Sequence, residues 1–156
     1  MRRKDREVKD PAFIEAIIKC CTCCRIGFYD HGEVYIVPLN FGYETNGHGY
    51  TFYFHGASEG RKMELIQQSP KVGFEMDTNY ALNEADTACG YSARFQSVIG
   101  TGVVRAVTAF DEKQHGLSLI MEHNTGKNHW QFNEKMVNTV SVFKLEVTQM
   151  SCKSHP

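Results

Sequence analysis

The chain has 156 residues, and its 17 Lys+Arg against 18 Asp+Glu give a formal net charge of −1. That length fits one domain able to bury a core of its own, and the near-neutral balance excludes a dedicated nucleic-acid binder, which carries a strong basic excess. Glu15 and Lys19 interrupt the first apolar stretch, "AFIEAIIKCC", so it serves neither as a bilayer span nor as a signal-peptide core; a soluble, cytoplasmic protein with no membrane partner and with reduced cysteines is expected.

In chain order, residues 1–9 read as a charged tail and residues 10–153 as a single domain. Asp10 as N-cap with Pro11 at the first helical position opens a helix whose apolar face is Phe13, Ile14, Ile17, Ile18 and Cys21. The turn "DHGE" (30–33) separates "CRIGFYD" from the strand-like "VYIVPLNF" (34–41), which reads as a hairpin. In "YTFYFH" (50–55), Tyr50, Phe52 and Phe54 alternate with Thr51, Tyr53 and His55. Ser58 is a candidate N-cap for a helix over Glu59–Gln68, which stops before "SP". "KVGFEM" (71–76) turns Val72, Phe74 and Met76 inward, and "QSVIGTGVVRAVTAF" (96–110) is a long strand bent at Gly100 and Gly102. Asp111 with Gln114 fits a capping box for a helix carrying Leu117, Ile120 and Met121, and "VSVFKLEVTQM" (140–150) is the closing strand. About six strands with hairpin-length links in so short a chain predict a small closed antiparallel barrel with helices packed outside, a mainly β fold with α.

The chemistry concentrates at "YFHGASEGRKMELI" (53–66). Arg61 and Lys62 fall in the first turn of the expected helix, where free backbone amides and the dipole favour an anion and two cations suit a phosphate. Gly56, Ala57 and Gly60 leave room for a ligand near the backbone. Solvated surface charge is the other reading of the two cations, and a satisfied structural histidine that of His55. In "RFQSVIGTG" (94–102), Arg94, Gln96 and Ser97 beside two glycines offer further phosphate contacts, or else belong to an ordinary bent strand.

"CCTCC" (20–24) invites a metal reading for Cys20, Cys21, Cys23 and Cys24, but no second ligand couple at zinc-site spacing exists, and two of them are expected to face the core. His115, His123 and His129 with Glu122 match no standard metal site and read as solvated; no metal is expected. A Ser-hydrolase elbow and a P-loop are both missing from the sequence, which removes hydrolase and triphosphatase readings.

"YIVPLNFGY" (35–43), "YFHGASEGRK" (53–62), "ARFQSVIGTGVV" (93–104) and the stretch 121–153, in this order, resemble the split-barrel flavoproteins related to pyridoxamine 5'-phosphate oxidase, in particular the branch around the nitroimidazole-resistance (Nim) proteins. The resemblance implies a six-stranded antiparallel Greek-key split barrel that forms a homodimer, with a flavin in each interface cleft. It implies FMN, or FAD as the alternative, with the ring system along Val37, Pro38, Leu39 and Asn40. The phosphate would be held by Arg61 and Lys62 with help from Gln96 and Ser97, and Ala57, Gly60 and Val98 would line the cofactor. His55 matches the histidine near flavin and small molecule, a catalytic candidate, and Trp130 falls in a segment that reaches the partner's cleft. The implied activity is a flavin-dependent oxidoreductase that takes electrons from a reduced nicotinamide and passes them to a small acceptor, for which a nitroaromatic compound is one candidate. A non-enzymatic flavin-binding protein and a haem-binding relative are the alternatives. The carboxy-terminal substrate-binding stretch of the true oxidase is missing, so fold and cofactor are implied more strongly than that enzyme's reaction.

Overall fold

The computed structural model describes residues 3–47 and 49–156; Met1 and Arg2 of the expected tail lie outside the described residues. The strands are β1 (Glu7–Val8), β2 (Cys24–Asp30), β3 (Glu33–Leu39), β4 (Gly42–Thr45), β5 (Tyr50–Gly56), β6 (Lys71–Asn83), β7 (Ser92–Val107) and β8 (Ser141–His155). The helices are α1 (Pro11–Cys20), α2 (Arg61–Gln68), α3 (Phe110–Thr125) and α4 (Glu134–Thr139). All pairings are antiparallel, in the order β3-β2-β6-β7-β8-β5-β4, with β1 pairing β8. This is the mainly β, split-barrel architecture with flanking helices. The expected closure is corrected: no ladder joins β3 to β4 among the described residues, so both are edge strands.

The count exceeds six because β1 and β4 are short, and short strands carry too little alternation to be read from sequence. Part of the segment read as a tail is ordered against the sheet, Glu7 opposite Lys153 and Val8 opposite Cys152. The core is aromatic and aliphatic: Phe28, Phe41, Phe52, Phe54 and Phe143 are fully buried together with Ile17, Ile18 and Ile26. Phe54 stacks on Phe143 with centroids 5.3 Å apart, and Phe41 meets Phe52 edge-on at 5.6 Å.

Asp10 caps α1 as expected, its Oδ1 accepting from the Ala12 amide at 3.3 Å. Two helix starts differ from expectation. Ser58 does not cap α2: the cap is Gly60 at φ +107°, a left-handed conformation that glycine adopts readily, so the helix begins two residues later than expected. Asp111 does not cap α3 either; the helix starts at Phe110 behind Ala109, leaving Asp111 and Glu112 in a first turn where the dipole favours acids. The alternation in β5 is also incomplete, because Tyr53 is buried on the face opposite Phe52. There α3 covers it, forming a second cluster of Tyr53, Val107, Ile120 and Val142. Gly116 permits this approach, since a Cβ there would come within 2.6 Å of the Tyr53 ring. No helix among the described residues is long and apolar enough to cross a membrane.

Candidate functional site

The end of β5, the turn that follows and the start of α2 form one corner of the molecule. His55 pairs with Val142 of β8 and its side chain is exposed. Gly56 pairs with Ser141, and the space above its Cα is taken by the Lys62 ammonium, which also lies 5.7 Å over the Phe143 ring. The missing Cβ of Gly56 leaves the space that Lys62 Nζ occupies, and a larger residue would displace that flexible side chain. Gly60 then breaks into α2 and its carbonyl accepts from Met63 at 2.9 Å and from Glu64 at 3.4 Å. The first amides of the helix, those of Arg61 and Lys62, are left without an intrahelical acceptor.

The two cations are not equivalent. Arg61 is bound within the protein: Nε lies 2.7 Å and a terminal nitrogen 2.6 Å from Asp30 Oδ2, with Glu33 at 3.6 Å. Its guanidinium stacks on Tyr35 at 4.6 Å from the ring centroid. The hydrogen bond to Asp30 raises its pKa above the ordinary arginine value. Lys62 makes no ion pair among the described residues. Asp30, Glu33 and Tyr35 were not foreseen as part of this corner: "DHGE" signals a turn, and nothing in its local pattern reports an ion pair 31 residues along the chain.

Tyr35 places this corner beside β3, and Val37 follows two positions along that strand. Val37 and Leu39 turn inward onto the core, whereas Pro38 faces out. As an edge strand, β3 has one row of backbone amides and carbonyls without a ladder partner, able to face a ligand. Asn40 is engaged by its neighbours, its Nδ2 donating to the Thr22 carbonyl at 3.0 Å and to Asn124 Oδ1 at 3.4 Å.

Gln96, Ser97 and Val98 lie elsewhere. Ser97 pairs with Lys153 on β8, ten residues from Phe143, the residue under Lys62. At about 3.3 Å per residue that is roughly 33 Å of strand. Gln96 Oε1 accepts from Asn79 at 2.6 Å, and Val98 is wholly buried in a strand laddered on both sides. One protomer therefore brings Gly56, Gly60, Arg61 and Lys62 together with Tyr35 of β3, while the His55 side chain, one residue before Gly56, lies on the opposite face of the sheet with Val142, and the Gln96–Ser97 pair lies far along the ladder with β8. Trp130 is in the segment between α3 and α4, exposed, with its indole N–H donating to the Lys127 carbonyl at 2.8 Å.

The outer face of the β3 side of the sheet carries exposed apolar side chains. Val34, Ile36 and Tyr29 are 70%, 60% and 61% exposed, Ile99 of β7 46%, and the row from Ile36 crosses Gly27 and Gly73. Ile99 is separated from Ile36 on this face by Glu75 and Arg25 of its own row, which are ion-paired to each other, with Arg25 also paired to Asp77.

The expected solvation of the α3 histidines is partly corrected. His115 Nε2 is 2.7 Å from Glu44 Oε2, and His123 Nε2 is 2.7 Å from the Cys21 carbonyl with its ring 4.4 Å from Phe41. Burial holds His123 below the ordinary histidine pKa. Cys21, Cys24 and Cys152 are buried, whereas Cys20 and Cys89 are exposed. Among the described residues no three His, Cys, Asp or Glu side chains are arranged to hold a metal.

No curated protein matches the chain. Among solved structures, a candidate 5-nitroimidazole antibiotic resistance protein from Bacteroides thetaiotaomicron is 34% identical over 94% of this chain and 85% of that one, with a TM-score of 0.80. The flavocytochrome Anf3 of Azotobacter vinelandii (19% identity, 100% and 72% covered, TM-score 0.80) shares the fold. So does an FAD-binding protein from Mesorhizobium loti (15% identity, 97% and 98% covered, TM-score 0.67). The model of the pyridoxamine 5'-phosphate oxidase family matches residues 10–154, from the cap of α1 nearly to the end of β8, and the chain belongs to that family.

Proposed function

We propose that this protein is a homodimeric, FMN-binding oxidoreductase that reduces a small acceptor, with nitroaromatic compounds as the class to try first. The observation that carries the reading is Lys62. It is a cation without an ion-pair partner among the described residues, in the first turn of a helix whose neighbouring Arg61 stacks on Tyr35 of the edge strand β3. A phosphate suits that position, because charge-assisted bonds from Lys62 would add to the helix's unpaired amides. The relative at 34% identity, a candidate nitroimidazole-resistance protein, supports the choice of acceptor, and the family supports FMN.

A bound flavin would supply the hydride chemistry. The chain's own residues would bind and orient. Lys62 and the α2 amides would hold the phosphate, and the backbone edge of Val37–Asn40 would hold the ring system. His55, exposed at the same corner, orients the acceptor or delivers a proton to it. Gln96 and Ser97 enter the site from a second copy, which explains why one protomer keeps them a strand's length away. The exposed Val34, Ile36 and Ile99 are what that second copy would cover.

The deciding experiment is an absorbance spectrum of the purified protein, mass spectrometry of the cofactor released by heat, and sedimentation to determine the oligomer. Released FMN, a dimer, and anaerobic bleaching by NADPH or NADH followed by reoxidation with a nitroaromatic compound are expected. A Soret band in place of a flavin spectrum, or a yellow protein that no nicotinamide reduces, would overturn the reading in favour of a haem protein or a flavin store. His55→Ala with flavin retained should slow reoxidation by the acceptor; unchanged turnover removes the catalytic role.

A further inference from the structure

A crevice of about 310 Å³ separates α3 from α4. Leu117 and Met121 of α3, Trp130 and Phe132 of the connecting segment, and Met136 and Val137 of α4 form most of its wall. No ionisable side chain borders it. Of the polar groups at its wall, Asn133 Oδ1 accepts from the Lys135 amide at 2.9 Å and the Trp130 N–H is bound to the Lys127 carbonyl, which leaves the Gln131 amide as the neutral polar group at the crevice.

The two helices that form the walls are tied to each other. Lys113 Nζ reaches from α3 to the Val137 and Val140 carbonyls, at 3.5 and 2.9 Å, and so holds the two helices in register. Val137 is fully buried, and Leu117 and Val140 pack against the second core cluster, which makes a solid floor. The mouth stays open, with Met136 71% and Trp130 38% exposed. An aromatic ring between two thioethers and an indole gains contact from soft, polarizable walls, and a charged ligand would lose its hydration there without compensation.

Position relates the crevice to the corner described above. Val140 at its rim leads directly into β8, where Ser141 pairs with Gly56 and Val142 with His55. The volume lies at the small end for ligand pockets, roughly 300–1,000 Å³, enough for one or two rings and too small for a dinucleotide. We infer that the α3–α4 crevice binds the neutral aromatic ring of the acceptor and holds it next to His55. This rests on the oxidoreductase reading for its purpose, but ring binding can be read without flavin.

The test is a titration of the protein, as purified and with added FMN, with 4-fluoroanisole as a neutral ring. Binding is followed by fluorine line broadening and by the emission of Trp130, the single tryptophan of the chain. Saturable binding by both signals is expected. Met136→Glu changes a residue the fold hardly uses, and should weaken binding about tenfold by placing a charge at the mouth. Trp130→Phe should keep the fluorine signal. In the flavin-loaded enzyme, Met136→Glu should raise KM for a neutral nitroaromatic with little change in FMN affinity. Absence of saturable binding, or equal binding by Met136→Glu, overturns the inference. A protein that binds the ring and no flavin would sink the oxidoreductase reading alone; one that binds flavin and no ring would sink this inference alone.

Discussion

The guanidinium of Arg61 lies against the carboxylate of Asp30, with Nε and a terminal nitrogen 2.7 and 2.6 Å from the same oxygen. Adjacent cations in the sequence therefore have different work. Arg61 ties the start of α2 to the β2–β3 hairpin and to Tyr35, whereas Lys62 lies over the Phe143 ring with no ion-pair partner among the described residues.

Single substitutions should separate these roles. Lys62→Ala should weaken FMN binding by about 1.5–3 kcal/mol, the range for a charge-assisted bond, with the fold intact. Arg61 is half-exposed, so losing its pair should change stability little, and flavin affinity should fall less than in Lys62→Ala. Fluorescence titration with FMN and thermal melts check both. A larger affinity loss in Arg61→Ala would show that Arg61 leaves Asp30 for the phosphate.

Thiol chemistry should divide the six cysteines. Burial pushes the Cys21 thiol up to about 12 and Cys152 up to about 11, and Cys24, the more deeply buried, is raised as well. Only a thiolate attacks a disulfide reagent at a useful rate. At pH 8 the folded protein should titrate Cys20, Cys23 and Cys89 quickly, with the other three reacting only in denaturant. Replacing Cys20, Cys23 and Cys89 by serine should abolish the fast phase.

Gly42 carries a packing requirement. A Cβ there would overlap the α3 backbone at Leu119 and Ile120, so β4 docks on the helix without a side chain between them. Backbone cannot yield as a flexible side chain would, and Gly42→Ala should cost on the order of 1–3 kcal/mol or more. Gly49, with open space around its Cα, is the control, and Gly49→Ala should be near neutral. Urea unfolding of both variants measures the difference.

Local patterns carried much of this fold into the sequence. The alternation of Val72, Phe74 and Met76 and the Asp10–Pro11 start of α1 are both seen in the structure, because each depends on neighbours within a few residues. Tyr53 was misleading because its second burial comes from α3, more than fifty residues on. Ser58 was outcompeted by a glycine whose φ cannot be read from its neighbours. At the candidate site, "GRK" was visible but the division between its cations was not, since Asp30 identifies itself only through the fold. Gln96 and Ser97 were grouped with Lys62 by chemistry, while the register of β8 holds them far apart within one protomer.

The pH dependence of stability should reveal the contact of Glu44 with α3 and β5. Partial burial pushes the Glu44 carboxyl up, but hydrogen bonds from His115 and Tyr53, at 2.7 and 2.9 Å, outweigh it and leave the group below the ordinary value of 4.5. A depressed carboxyl contributes stability that is present above the unfolded-state pKa and lost as pH falls through the folded-state one. The loss should thus fall below about pH 4.5. The Glu44 side chain is 43% exposed, so the contribution should stay within about 1 kcal/mol. Tyr53 gives the opposite limb: burial and the Glu44 partner raise its phenol, favouring the neutral form, so its contribution is present below the unfolded-state pKa and lost in strong alkali. Urea unfolding at pH 3, 4, 5 and 7 should show a shallower acid slope in Glu44→Gln than in the native protein. Tyr53→Phe, which removes one donor to the same carboxylate, should flatten that slope partway; identical acid slopes in all three proteins would mean that these hydrogen bonds do not hold the carboxylate down.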